Sequence, residues 1–320
     1  MLAVSRLAAV AFLSSSAFGQ IQSYGQPPTP QVVAYIEAAL QQGDLASATS
    51  IVAQYRRQNG DTPEALDALS WLARGELAAG QFDEASKQAD EIERSSQTSL
   101  ATRKLDAEPY LPIALGAAYE VQAEALVQQH KRSEAMQLLQ TALRTWRGTS
   151  IAGRLQKNIN LLTLEGKPVP LLRETEWIGK KPAPAATLHG KVVLLFFWAH
   201  WCADCKADAP IVAQVAKDLG PRGLVVVAPT RRYGYTAEEE HASPAQETPF
   251  IQKVYEKYYS VIPNGGVPLD ATNFERFGVS TTPTVVLVDR RGIVRLYHPG
   301  LMNDAELRHA IEPLLNSSSH

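Results

Sequence analysis

Residues 192–206 read VVLLFFWAHWCADCK and join an apolar run to a pair of cysteines. The run from Val192 to Trp198 is unbroken and has the length of a buried strand. A helical pattern from Ala203 to Leu219 follows it, and Cys202 and Cys205 stand at the start of that pattern. The sequence therefore predicts two thiols at the junction where a strand ends and a helix begins.

This junction favours redox chemistry at the two cysteines. A thiol at a helix N-terminus faces unpaired backbone N–H groups and the positive end of the helix dipole, and both stabilise a thiolate. Cys202 is therefore the expected nucleophile. Because only two residues separate it from Cys205, the sulfurs can form a disulfide, and Cys205 can resolve a mixed disulfide on Cys202. The alternatives are a structural disulfide, which stabilises little over so short a loop, and half of a metal site.

The cysteine count limits what the rest of the chain can do. Cys202 and Cys205 are the only cysteines among 320 residues, so the chain has no disulfide framework and no second cysteine pair for a zinc site. We expect one exposed, reversible pair, no metal and no bound cofactor. Its electrons must come from a separate thiol donor, since no third thiol exists to reduce it. A net charge of −2 without a basic tract gives no reason to expect nucleic acid as a partner.

The remaining chain falls into two parts with different sequence patterns. Residues 20–170 are rich in Ala, Gln and Leu at helical spacing, which predicts an all-α domain. From residue 171 onward, short apolar runs alternate with helical patterns, which is typical of an α/β layer fold. Besides the stretch quoted above, the runs are Leu224 to Ala228 and Thr284 to Val288, and the helical patterns are Pro249 to Tyr259 and Asp304 to Leu315.

A short internal repeat occurs in the helical half. The segments Gly43 to Ala48 and Gly80 to Ala85 share a glycine, an apolar residue two positions later and an alanine five positions later. The segment His130 to Ala135 matches more weakly. The pattern resembles the tetratricopeptide repeat, a helix-turn-helix unit stacked in arrays. We therefore predict helical hairpins of this kind, with a plain antiparallel bundle as the alternative.

The first nineteen residues have the pattern of a secretory signal. A basic Arg6 precedes an apolar stretch from Leu7 to Leu13, and Ala17-Phe18-Gly19 offers small residues for cleavage. The alternative is a short membrane anchor, but the stretch is below the roughly 20 residues that span a bilayer. We expect export to the periplasm or another extracytoplasmic site, and no stable membrane span.

The residues around the cysteines resemble the thioredoxin superfamily, and within it the extracytoplasmic TlpA/ResA-like group of thiol-disulfide oxidoreductases. Residues 190–206 carry the resemblance, with Asp208 and Pro210 after them, and residues 277–292 contain a second matching block, FGVSTTPT followed by VDRRG. The resemblance implies a thioredoxin-like fold, with a central mixed sheet flanked by helices, over residues 171–320. The long distance between the two blocks indicates an insertion at about 231–270.

The resemblance also implies how a partner would dock. Pro283 is expected to follow a cis peptide bond beside the dithiol, and the backbone of Thr282 to pair with an extended substrate peptide in strand fashion. An ordinary proline at the entry to a strand is the alternative. Trp201, next to Cys202, is expected to shield the disulfide and to contribute to docking.

Asp208 is the candidate proton acceptor. The best-known thioredoxins have a buried acid six positions before the first cysteine, where this chain has Phe196. Asp208 lies one helical turn beyond Cys205 and could take the proton from Cys205 before it attacks. The alternative is a solvated aspartate on the helix surface.

The residues between and after the cysteines bear on the direction of the reaction. Asp204 places a carboxylate beside the nucleophile, which disfavours the thiolate and makes the pair a better reductant, while Lys206 acts in the opposite direction. Our hypothesis is an exported, reducing thiol-disulfide oxidoreductase that exchanges disulfides with protein partners. The alternative is a protein-interaction module, in which the helical domain binds a protein ligand and the thioredoxin-like domain is secondary.

Overall fold

The structure is a computed structural model that describes residues 27–179, 181, 188–263 and 266–316. The expected secretory signal at residues 1–19 lies outside the described residues. Among the helices in the described part of the chain, none combines the length and apolar character that crossing a membrane requires.

Seven α-helices form the first part of the chain and confirm the predicted all-α region. They are α1 (Gln31–Gln41), α2 (Leu45–Asn59), α3 (Pro63–Ala78), α4 (Phe82–Leu100), α5 (Leu111–Gln128), α6 (Arg132–Thr145) and α7 (Ala152–Thr163). Each helix packs on the next, and a short 3-10 turn, Leu105–Ala107, lies between α4 and α5. Helices α1, α3, α5 and α7 also contact one another in that order. Fully buried side chains such as Leu66, Ile92 and Leu115 fill the core between them.

The three repeat segments have the same turn geometry. Gly43 and Gly80 have left-handed φ angles of 73° and 76°, and His130 takes the equivalent place with a φ of 63°. In each turn, the residue after this glycine or histidine donates its N–H to the carbonyl five positions before it. This hydrogen bond is the one by which a Schellman motif satisfies a carbonyl in the last turn of a helix. The turn conformation therefore recurs in the third segment, although His130 stands there in place of glycine. That these hairpins are tetratricopeptide repeats stays a prediction.

The second part of the chain alternates strands and helices. Its elements are β1 (Trp177–Ile178), β2 (Val192–Phe197), α8 (Ala203–Leu219), β3 (Leu224–Val227), α9 (Pro244–Val254), β4 (Val267–Pro268), α10 (Ala271–Phe277), β5 (Thr284–Val288), β6 (Val294–Pro299) and α11 (Asp304–Asn316). A π-helical turn, Tyr255–Tyr259, continues α9.

A mixed four-stranded sheet of order β3-β2-β5-β6 forms the centre of this part, as the resemblance implies. Strand β2 runs parallel to β3 and antiparallel to β5, and all six of its residues are buried. On one face of the sheet, Val192, Leu194 and Phe196 of β2 pack on α8 and α11. On the other face, Val193, Leu195 and Phe197 pack on Phe274 and Phe277 of α10. Burial on both faces explains the unbroken apolar run in the sequence.

The helical part joins the sheet through its last helix and the chain that follows. Helix α7 contacts α10 and β6. Beyond α7, the N–H groups of Gly166 and Val169 donate to the carbonyls of Val294 and Gly292 at the sheet edge. Residues 166–169, at the end of the predicted all-α part, therefore add backbone hydrogen bonds to the second part.

Candidate active site

Cys202 and Cys205 lie at the predicted junction and form a disulfide. Cys202 is the N-cap residue of α8, in extended conformation, and Cys205 is in the first turn, with 5.3 Å between the two Cα atoms. The backbone N–H of Cys205 donates to Cys202 Sγ over 3.0 Å. In the reduced protein this N–H would stabilise a thiolate on Cys202, because it is one of the unpaired donors at the helix end.

The expectation of an exposed pair is wrong. Cys202 is 3% exposed and Cys205 is fully buried. The burial arises because the chain before β5 folds against the disulfide, with the Thr282 carbonyl oxygen 3.4 Å from Cys202 Sγ. Of the two cysteines, only Cys202 has any exposed surface for a partner to approach.

The Thr282–Pro283 peptide bond is cis, as the resemblance implies. Pro283 is buried, Thr282 is partly exposed, and Ser280 and Thr281 just before it are exposed. The Oγ1 atom of Thr282 is buried and makes no hydrogen bond. The chain is thus exposed just before the cis peptide bond, at residues 280–281.

Asp208 is buried, with 5% of its surface exposed, so the interpretation as a solvated surface residue is wrong. Burial raises the pKa of Asp208 to about 6, the nearby Asp204 adds to the rise, and a backbone hydrogen bond at Met302 opposes it. The carboxyl group therefore changes its protonation close to neutral pH.

Trp201 lies between solvent and the apolar core that includes the disulfide. Its ring meets Tyr233 edge-on, with 5.6 Å between the ring centres. Its buried Nε1 atom has no hydrogen-bond partner. Phe196, which stands where better-known relatives have an acid, is fully buried and its ring centre is 6.5 Å from that of Tyr259.

His200 and Glu247 form a buried hydrogen-bonded pair that the sequence did not predict. His200, two residues before Cys202, is 2% exposed and Glu247 of α9 is 1% exposed, with 3.2 Å between Nε2 and Oε1. Glu247 also accepts hydrogen bonds from the N–H groups of Tyr233 and Gly234. Burial favours a raised pKa for Glu247, but the hydrogen bonds from His200 and these N–H groups outweigh it and lower the pKa.

The same pair attaches the insertion to the active-site loop. Tyr233, Tyr235 and Phe250 present ring edges around His200, with 5.1 to 5.5 Å between ring centres. Nothing in the sequence links His200 to Glu247, which lies 47 positions later. Only the position of the histidine beside the cysteines could have drawn attention to it.

Lys206 contacts the insertion. Its Nζ atom lies 5.4 Å from the ring centre of Tyr258, and burial lowers its pKa. Within the described residues, no group of three or more His, Cys, Asp or Glu side chains is arranged to hold a metal ion.

The central strand, the disulfide at its end and the cis-proline beside it together define the thioredoxin class. A family model described as a thioredoxin-like domain matches residues 182–314. The thiol:disulfide interchange protein DsbE of Escherichia coli strain K12 is 30% identical over 156 residues, which are 47% of this chain and 74% of that protein. The chain belongs to this family of thioredoxin-like thiol:disulfide interchange proteins.

Two further relatives show how far the similarity extends. The DsbE protein of Xylella fastidiosa strain Temecula1 is 30% identical over 135 residues, which cover 42% of this chain and 59% of that relative. The crystal structure of a putative DsbE from Chlorobium tepidum is 25% identical, with a TM-score of 0.37, and the match covers 48% of this chain and 98% of that one. The matched share is under half of this chain in every case, and the chain spans 59% of the Xylella relative.

Proposed function

We propose that this chain is an exported thiol-disulfide oxidoreductase that reduces disulfides of protein partners through Cys202 and Cys205. The observation that carries the proposal is the N–H of Cys205 on Cys202 Sγ at the end of α8. This donor favours a thiolate on the one sulfur that a partner can approach. The thioredoxin-like family of the chain supports the same chemistry.

The reaction consists of two exchanges. The Cys202 thiolate attacks one sulfur of the partner's disulfide, so that bond breaks, a mixed disulfide forms and one partner thiolate leaves. Cys205 then loses its proton and attacks Cys202 Sγ, which forms the Cys202–Cys205 disulfide and releases the second partner thiol. Two electrons pass to the partner, and a separate thiol donor must return two electrons to this chain.

Asp208 would accept the proton of Cys205 in the second exchange. Its buried carboxyl group one turn further along α8, with a pKa of about 6, suits a base that works near neutral pH. Thr282 would hold the partner through its backbone, next to Cys202, and Trp201 would cover the other side of the reacting sulfur.

A reducing direction is supported by the charge next to the nucleophile. Asp204 is exposed in the first turn of α8, and its carboxylate disfavours a thiolate on Cys202 and so favours the disulfide form over the dithiol. Export rests on the sequence pattern of residues 1–19.

A redox titration in dithiothreitol buffers tests the proposal. We expect a reversible two-electron transition nearer to the roughly −270 mV of thioredoxin than to the roughly −120 mV of strongly oxidising enzymes. The Asp204→Asn variant should have a higher potential, while the matched Asp218→Asn variant at the far end of α8 should match the wild type. A wild-type potential near the oxidising value would refute the reducing direction, and a pair that does not titrate would refute the redox role.

A further inference from the structure

A surface groove lies between α8 and the π-helical turn that continues α9. Its volume is about 390 Å³. The side chains that form its walls include Lys206, Pro210 and Lys217 of α8, Lys257 and Tyr258 of the turn, and Val261 just after the turn. We call this feature the lysine groove.

The lysine groove begins one helical turn from Cys202. The N–H of Lys206 donates to the carbonyl of Cys202 over 3.3 Å, so the two residues lie one above the other on α8. Pro210 and Lys217 follow at spacings of four and seven, which keeps them on the same face of the helix. At about 1.5 Å per residue, this face is about 16 Å long from Lys206 to Lys217. The groove therefore continues from the one cysteine that has exposed surface.

Two ammonium groups meet at the end of the groove next to Cys202. The Nζ atoms of Lys206 and Lys257 lie 5.4 and 5.1 Å from the ring centre of Tyr258. In the part of the chain that the structure describes, neither ammonium group has a carboxylate partner. Burial and the charge of Lys257 lower the pKa of Lys206, and Tyr258 opposes them. Two like charges are thus held together on a partly buried surface, and a bound anion would relieve their repulsion.

The carboxylates nearest in sequence do not compensate these two charges. Asp204 stands two residues before Lys206, but it acts on the pKa of Asp208. Glu256 accepts a hydrogen bond from Gln252, one turn earlier in α9. Neither Asp204 nor Glu256 lines the groove, and no carboxylate shifts the pKa of Lys206. The positive charge at this end is therefore unbalanced.

The remainder of the groove is apolar. Pro210 is exposed and Val261 is 56% exposed, and with Tyr258 they line one groove, so their apolar surface is contiguous rather than scattered. At the far end, Lys217 attracts the carboxylate of Asp218, so its charge is compensated. The groove thus offers unbalanced positive charge next to Cys202 and apolar surface beyond it.

A short extended segment of protein fits this arrangement. Five extended residues, at about 3.3 Å each, cover the length of about 16 Å. Lys206 lies four residues, or about 6 Å, beyond Cys202 along α8, so the second residue from the partner's reacting cysteine would lie level with it. Because side chains two positions apart in an extended chain face the same side, the second and fourth residues would both face the groove.

We propose that the lysine groove is part of the docking surface for the disulfide-bearing partner. It takes an extended segment with an acidic side chain two residues from the reacting cysteine, against Lys206 and Lys257, and an apolar side chain four residues from it, against Pro210 and Val261. This inference rests on the proposed function. Charge contacts at the rim of such a surface act chiefly on association and on its salt dependence.

Two peptide probes test the inference on the reduced, full-length chain. Each probe carries one cysteine in a mixed disulfide with 2-thiopyridine, and valine four residues from that cysteine on both sides. One probe has Glu two residues from the cysteine on both sides, and the other has Gln there. The reaction oxidises the dithiol of the chain to its disulfide and releases the peptide thiol and pyridine-2-thione, whose absorbance gives the rate. The uncharged 2,2′-dithiodipyridine, which has no flanking chain, is the reference.

We expect the wild type to react with the Glu probe at least about fivefold faster than with the Gln probe at low salt. The ratio of the two rates should fall towards one at high salt. Lys257→Gln should lower the ratio at low salt, whereas Lys191→Gln, at an exposed position just before β2, should leave it as in the wild type. Taking the ratio within one variant cancels any change in the reactivity of the thiol itself. A wild-type ratio of one at low salt would overturn the inference.

A new carboxylate at Val261 tests the position of the surface. Val261→Glu places a negative charge in the groove that competes with the Glu probe for the two lysines, so the ratio should fall to about one. Leu171→Glu adds the same charge at a position that is 71% exposed and outside the groove, and it should keep the wild-type ratio. A wild-type ratio in Val261→Glu would overturn the inference, whatever Lys257→Gln does. A wild type that does not react with the reference disulfide contradicts the proposed function instead.

Discussion

Asp208 combines burial with a position one turn from Cys205. Its surface is 5% exposed and its pKa is raised to about 6 from the ordinary 3.8. Because the folded protein binds this proton more tightly than the unfolded chain, the stabilising contribution is complete below pH 3.8 and is lost as the pH rises through 6. Ionised Asp208 therefore lowers the free energy of unfolding at neutral pH. A rise of about two pKa units corresponds to about 3 kcal/mol.

This reasoning predicts a pH-dependent effect of Asp208→Asn on the oxidised chain. At pH 7.5 the variant should be more stable than the wild type by about 2 to 3 kcal/mol, because the amide cannot ionise. The gain should be absent at pH 4. Urea unfolding at both pH values measures the difference.

The control for this experiment is Asp218→Asn in the same helix. Hydrogen bonds from Arg308 lower the pKa of Asp218. The Asp218→Asn variant should therefore be no more stable than the wild type at pH 7.5. A gain from Asp208→Asn that is equal at both pH values would contradict the raised pKa. In the reduced chain, the same variant should form the Cys202–Cys205 disulfide about 100-fold more slowly if Asp208 is the base.

Helix α9 in the insertion between β3 and β5 holds the active-site loop through a hydrogen bond to His200. Glu247 makes the hydrogen bond of the insertion to His200, and its carboxylate also accepts from two backbone N–H groups of the loop after β3. A buried donor that loses its acceptor is costly, whereas a replacement of the same shape that keeps an acceptor oxygen costs less. The pair should therefore hold the active-site loop and the insertion in register.

We predict that Glu247→Ala lowers the free energy of unfolding by about 3 kcal/mol, because it leaves buried donors without an acceptor, and that Glu247→Gln lowers it by clearly less. The amide can still accept from the two N–H groups. Glu240→Ala, at an exposed position in the same insertion, should change stability by less than about 0.5 kcal/mol. Urea unfolding of the three variants provides the measurement. Equal losses for Gln and Ala would show that the hydrogen bonds contribute nothing.

The predictable elements are those whose sequence pattern is local. Helix α8 and strand β5 have the predicted bounds, because each is marked by its own apolar pattern. Strand β6 was not predicted, since it lies at a sheet edge and its burial does not alternate regularly. Strands β1 and β4 have two residues each and pair with each other across about 90 positions.

Helix α9 shows how a local signal can be misread. The predicted helix from Pro249 to Tyr259 begins at Pro244 instead, because Ser243 and Gln246 form a capping box one turn earlier. Its last residues, Tyr255–Tyr259, continue as a π-helical turn. Within the site, the cysteines and Thr282–Pro283 were found from their motifs. His200 with Glu247, and the burial of the disulfide, arise from tertiary packing that no spacing encodes.

The chain as a whole places a helical domain next to a redox site. Gly278 lets α7 contact the segment before Thr282, and residues 166–169 add hydrogen bonds to the sheet edge. The helical domain is therefore packed against the thioredoxin-like domain rather than separated from it by a free linker.

The exchange itself is tested most directly by trapping its intermediate. Without Cys205 the mixed disulfide on Cys202 cannot be resolved. Cys205→Ser in the full-length chain should therefore form a covalent adduct with native, disulfide-bonded insulin. Intact-mass spectrometry should show the added chain, and dithiothreitol should remove it. Cys202→Ser should form no adduct, because Cys205 is fully buried. An adduct through Cys205, or none in either variant, would contradict exchange through Cys202.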